Sequence, residues 1–229
     1  MTQLIAGVDG CPGGWVATVA GAGNPASARL ELVTDLAAFL ETVSFALIDM
    51  PIGFASGPAP RDVEPAMRAL LKGKASSVFP TPCRMALAEP TYLDASFVNE
   101  EILGKRLPKQ TFMLFPKMRE IDALAQTLGQ SRLREGHPEV SFAVMAGAPV
   151  LSKKRQPQGQ ADRAALLQRE GLPTTALLAA RVKGKMAADD ILDSAAMWWS
   201  ANRFLTQSHI TLPARPSQDA AGLEMSVVA

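Results

Sequence analysis

The sequence holds little of what would make its chemistry obvious. It has two cysteines and two histidines in 229 residues. Cys11 and Cys83 are too few for a disulfide framework, and no Cys/His spacing suits a zinc site. They read as reduced cytosolic thiols. Charge of one sign is also lacking: 23 Lys and Arg face 22 Asp and Glu, a net +1. A basic excess marks an obligate nucleic-acid binder, so any such contact has to rest on a local patch. No apolar run is long enough to span a bilayer. The start, Met1-Thr2-Gln3-Leu4-Ile5, meets Asp9 and a glycine-rich stretch at once, unlike a signal peptide. These absences lead to the expectation of a soluble cytoplasmic protein. Repeats and low-complexity tracts are absent as well.

A hydrophobic fraction of 48% is enough for a sizeable core without staples. Leu4–Val8, Trp15–Ala20 and Arg29–Val33 read as strands separated by glycine-rich turns, hence an antiparallel meander. Thr34 or Asp35 caps a helix reaching about Thr42. Ser44–Ile48 is a further buried strand, and the helix before it implies a crossover and parallel pairing. Pro51–Pro60 is loop. Helices are expected at 61–71, 95–103 and 117–128, within an insertion of about 54–130. Arg132–Glu135 is a short strand. Helices follow at 139–145, 160–170, 174–181 and 189–205, with a basic loop at 153–158. Short strands at 210–212 and 225–228 close the chain. No clear break divides it, so residues 1–229 are read as one domain.

Four places carry candidate chemistry. Asp9 ends the first strand in Gly7-Val8-Asp9-Gly10, and Asp49 ends the fourth in Ile48-Asp49-Met50-Pro51. A carboxylate at a strand's C-terminal end projects into the crevice where open α/β sheets bind ligands. Each is also an ordinary turn aspartate; if their strands are neighbours, the two acids repel unless a cation or proton intervenes. Asp190 and Asp193, three apart, share one face of the last long helix. Negative charge in a first turn suits the helix dipole by itself, but Asp193 sits among Ile191, Leu192, Ala195 and Ala196, where a carboxylate needs a partner. Glu139, in His137-Pro138-Glu139, is either a further ligand or a helix-terminal charge, and His137 is either a general base or a structural histidine. An all-oxygen set of this kind favours Mg2+ or Mn2+.

These stretches also resemble a known family. Gly7-Val8-Asp9-Gly10-Cys11-Pro12-Gly13-Gly14-Trp15, Asp49-Met50-Pro51-Ile52-Gly53, Ser77-Val78-Phe79-Pro80-Thr81-Pro82 and Lys117-Met118-Arg119-Glu120-Ile121-Asp122 are similar to motifs of the predicted RNase H-like nucleases. So are His137-Pro138-Glu139, Asp189-Asp190-Ile191-Leu192-Asp193 and Gly222-Leu223-Glu224-Met225, so the resemblance covers nearly the whole chain. It implies an RNase H-like mixed sheet of three antiparallel and two parallel strands flanked by helices. It implies that Asp9, Asp49, Asp190 and Asp193 bind two metals, with Glu139 a further motif acid. Ser194 stands where an alanine is common.

The expected activity is hydrolysis of phosphodiester bonds, with two ions about 4 Å apart clamping the phosphate. Lys117, Arg119, Lys153 and Lys154 are candidates to meet backbone phosphates of a nucleic acid or nucleotide, or are plain solvated surface. One rival is an ATP-dependent phosphotransferase of the related actin-like fold; another is a non-catalytic binding protein. Oligomeric state is open.

Overall fold

The computed structural model describes residues 3–229. Five strands form the main sheet: β1 (Leu4–Cys11), β2 (Gly14–Gly21), β3 (Asn24–Val33), β4 (Phe45–Ile48) and β5 (Leu133–Glu135). Their order is β3-β2-β1-β4-β5. β1 pairs antiparallel with β2 and parallel with β4; β2–β3 is antiparallel and β4–β5 parallel. The mixed α/β architecture is therefore the expected one, three antiparallel strands and two parallel ones flanked by helices.

Alternation assigns the two faces, because successive side chains of a strand point opposite ways. Ala6, Val8, Ala46, Ile48 and Leu133 belong to a core on one side. Ile5, Cys11, Val16, Phe45 and Leu47 belong to a core on the other. The first core is roofed by α1 (Leu36–Leu40) and by helices of the insertion, α3 (Arg84–Ala88), α4 (Tyr92–Leu103), α5 (Lys109–Met113) and α6 (Phe115–Leu128). The second is roofed by α7 (Pro138–Ala146), α8 (Pro157–Arg169), α9 (Thr174–Ala179) and α10 (Ala188–Leu205). A further helix, α2 (Val63–Leu70), opens the insertion and joins a third, smaller apolar cluster.

α10 lies directly across β1. A β-carbon at Gly7 would overlap the backbone nitrogen of Trp198 and the carbonyl oxygen of Ser194. Glycine is needed there for close approach rather than for turn conformation. Ser194, the position where the resemblance favours alanine, uses its hydroxyl: it lies 2.8 Å from Thr18 Oγ1 of β2 and donates to the Ile191 carbonyl at 2.9 Å.

Several element boundaries differ from those expected. β1 runs on through Asp9 to Cys11, with a tight turn at Pro12-Gly13, so Asp9 sits in the sheet rather than in the turn. β3 begins at Asn24 because the turn before it takes only residues 22 and 23; Pro25 is tolerated since β3 is an edge strand. Helices α3 and α5 fall outside the expected helices, each only five residues long and too short for a periodic signal. The closing strands, β6 (Thr211–Gln218) and β7 (Glu224–Val228), do not extend the main sheet. They form a separate hairpin, touching the main sheet through a bridge from Gly136 to Val228.

Candidate functional site at the carboxyl edge of the sheet

Parallel register puts two acids side by side. Val8 pairs with Ile48, and the Asp49 N–H donates to the Val8 carbonyl at 3.0 Å, so Asp9 and Asp49 leave adjacent strands at the same level. Both continue the alternation that turns Ile5, Phe45 and Leu47 toward α10. Asp193 reaches the same place from α10, fully buried. Lys154, on the loop between α7 and α8, closes the cluster with Nζ 2.5 Å from Asp193 Oδ2.

The electrostatics show that these groups share surroundings. Burial, then the charges of Asp49 and Asp193, push the Asp9 carboxyl well above the usual range. Asp49 is pushed up to about 6, by burial against the opposing pull of Lys154. Asp193 also rises to about 6: burial outweighs Lys154, and Asp49 and Glu139 add repulsion. The same three aspartates draw the Lys154 pKa upward against its own burial. Little else satisfies the acids. Asp9 Oδ1 accepts from the Gly10 N–H at 2.7 Å. Asp193 Oδ1 is buried without a hydrogen-bond partner among the described residues.

Asp190 flanks this group. It is half-buried, accepts from the Ala187 N–H at 2.8 Å, and is raised by burial, with a further contribution from Asp189. Asp190 therefore reinforces the start of α10, and its field still reaches Asp9. Asp189 lies 3.5 Å from Nε of the exposed Arg155.

Glu139 is placed differently. Both its oxygens meet the guanidinium of the wholly buried Arg163, at 2.7 and 2.9 Å, and Lys74 Nζ stands 3.3 Å away. Its charge is felt by Asp49 and Asp193, but its lone pairs are committed to cations. His137 lies at the same edge, facing Glu139, Asp193 and Lys154; burial lowers its pKa and keeps it neutral.

The basic candidates divide. Lys117 comes to the other side of Asp9, packed over Gly10, with its ammonium 3.9 Å from the Trp15 ring centre and donating to the Gly14 carbonyl. Burial lowers its pKa. Arg119 is directed elsewhere, to the carbonyls of Leu87 and Glu89 at 2.7 Å each. Lys153 is exposed, and Lys154, next to it in sequence, pairs with Asp193.

Sequence reasoning missed the partners. Glu135 ends β5 on the opposite face, as Leu133 requires, and is held by the buried Arg61 at 2.7 and 2.8 Å and by the Ile52 N–H at 2.8 Å. This ion pair shapes the loop after Asp49. The parity of Leu133 and Glu135 was a usable signal for the face; nothing local pointed to Arg61, Arg163 or Lys154 as the partners.

The fold and site define a mixed α/β protein with an acid cluster at the carboxyl edge of its sheet. The chain belongs to the family described as Protein of unknown function (DUF429), whose model matches residues 7–218. Comparisons with curated proteins and with solved structures each gave no match. Among the described residues, no three His, Cys, Asp or Glu side chains stand as a group that could hold a metal ion, and no helix is long and apolar enough to cross a membrane.

Proposed function

We propose that this protein is an RNase H-like nuclease that hydrolyses phosphodiester bonds with Mg2+ or Mn2+ held at Asp9, Asp49 and Asp193. The observation that carries this reading is that Asp9 and Asp49 leave adjacent strands at the same level, while Asp193 of α10, paired with Lys154, adds its charge to that of Asp9. Sheet order supports it too, since the resemblance implies three antiparallel strands followed by two parallel ones, with acids at these places.

By charge and donor type these acids suit a hard divalent cation, though they do not stand as a ready-made group for one. Three clustered carboxylates carry more negative charge than Lys154 offsets, and a buried oxygen of Asp193 lacks a partner. Oxygen ligands suit Mg2+ or Mn2+. A bound ion would polarise the phosphate and lower the pKa of an attacking water. The protein's own part is positional. Asp9 and Asp49 are fixed by strand register, and Asp193 by the contact of α10 with Gly7. Asp190 adds charge at the rim. Glu139 holds Arg163 and Lys74 under the site. His137, neutral at pH 7, can take a proton from water at this edge. Lys117, whose ammonium lies in the field of Asp9, can meet a phosphate oxygen, and Lys153 is the exposed lysine of the loop that carries Lys154.

The test is cleavage of single- and double-stranded DNA and RNA by purified protein with Mn2+. Metal-dependent cleavage that disappears in Asp9→Asn is expected. If no nucleic-acid form is cut while Mn2+ still binds, the nuclease reading fails.

A further inference from the structure

We propose that the outer edge of β3 is a homodimer surface, where a second copy of this chain pairs its own β3, antiparallel and centred on Leu30. The inference uses none of the acids at the carboxyl edge and stands apart from the nuclease reading.

β3 is the longest strand of the main sheet and lies at its border, hydrogen-bonded to β2 alone. Among the described residues, no backbone hydrogen bond from residues 29–33 runs to any element but β2. Every second residue of a border strand turns its N–H and C=O away from the sheet, and a row of such groups is a template for another strand. Proteins commonly blunt this template with proline, bulges or short strands. Here those devices sit at the start of β3, as Pro25 and the irregular pairing opposite residues 24–29. Residues 29–33 pair regularly with β2 and contain no proline.

Charge fixes the occupant and the register. A two-fold axis through an antiparallel pair of identical strands stands perpendicular to the sheet, so each face keeps its side and the register centres on a residue. Centring on Arg29 or on Glu31 sets like charges directly opposite, which is destabilising. Centring on Leu30 sets Arg29 opposite Glu31 of the second copy, and the symmetry repeats the pair. On the other face it sets Leu30 on Leu30 and Ala28 on Leu32. These three are half-buried and already pack against the core roofed by α7–α10. Pro25 falls opposite Asp35, past the end of β3 at Val33, and takes no N–H from the pairing.

In the single chain Arg29 and Glu31 meet only each other, at 2.7 Å, with side chains 54% and 36% exposed. An exposed pair of this kind contributes little, so exchanging it for two cross-strand pairs loses little. The contact is isologous and closes at two copies. It joins the two five-stranded sheets into one, and their carboxyl edges point in opposite directions. One strand pair is a small interface, so the dimer is concentration-dependent.

Sedimentation equilibrium of the full chain tests this, with circular dichroism to show that each variant is folded. The wild type is expected to reach twice the 24.3 kDa of one chain, with amide exchange in residues 27–33 slowing as the dimer forms. Arg29→Glu and Glu31→Arg each set like charges opposite and are expected to weaken association about tenfold or more. The double reversal, Arg29→Glu with Glu31→Arg, restores opposite charges and is expected to restore the dimer. A wild type that stays monomeric up to about 1 mM, where even weak association shows, would overturn the inference. So would a dimer that ignores the single reversals, one that the double reversal fails to restore, or one that leaves exchange in residues 27–33 unchanged.

Discussion

The backbone nitrogen of Trp198 fills the place where a β-carbon on Gly7 would stand. This contact between α10 and β1 sets the height of the helix over the sheet, and so the depth at which Asp193 meets Asp9. It lies two residues from Asp9 along the strand. A methyl group there cannot be absorbed by a flexible side chain, because the atoms it meets are backbone.

Gly7→Ala is therefore expected to cost about 3 kcal/mol or more, at the upper end for overpacked cores. Urea unfolding monitored by the fluorescence of Trp198 and Trp199 measures it. A loss below about 1 kcal/mol would mean that α10 shifts easily.

Asp9→Asn removes one of three mutually repelling buried acids. The metal-free variant is expected to melt no lower than the wild type, since the charged form of Asp9 is disfavoured in the folded protein. The rise in melting temperature on adding Mn2+ should vanish. For the wild type, Mn2+ at a hundred times its dissociation constant should add about 2.7 kcal/mol. Differential scanning calorimetry with and without Mn2+ checks both halves.

Glu139 and Arg163 act as a support. Arg163→Met leaves a buried carboxylate short of its main partner, and breaking such a pair costs about 3–5 kcal/mol. Mn2+ binding should persist in Glu139→Gln, which removes no acid from the group beside Lys154. A Mn2+ site lost in a folded Glu139→Gln protein would make Glu139 a ligand.

Acid should loosen the C-terminal hairpin. Burial alone would raise Asp219, but Arg84 and the N–H groups of Phe54 and Leu223 outweigh it, and its folded-state pKa lies below the usual value. A depressed carboxylate contributes stability that is fully present above its unfolded pKa, about 4. That contribution is lost as pH falls through the lower folded value. Glu224, held by Ser226 and Arg134 against its own burial, behaves alike. The stability gap between the wild type and Asp219→Asn should thus be widest near pH 6 and shrink below pH 4. A gap that is flat across this range in denaturation curves would exclude Asp219 as an acid-sensitive tie.

The strands were legible because alternation and glycine turns are local signals, and so was the position of Asp49 just after its strand; Asp9, read as a strand end, lies two residues inside β1. α3 and α5 were not, since five residues give too little period to read. The two closing strands were visible as strands, but their pairing with each other rather than with the main sheet was not, because strand partners are chosen by distant surfaces. Asp193 stood out as an acid within an apolar stripe. Glu139, read as either a further ligand or a helix-terminal charge, met another fate: Arg163, 24 residues on, neutralises it.

The sequence by itself determined which residues alternate, where chain direction reverses, and that several acids end buried segments. These follow from the local steric and hydrophobic preferences of short stretches. Only the tertiary structure decided which cation each acid received: Lys154 for Asp193, Arg163 for Glu139, Arg61 for Glu135. That choice depends on which side of the sheet an acid faces and on which loops the packed helices bring within reach, and charge acts through space without regard to sequence separation.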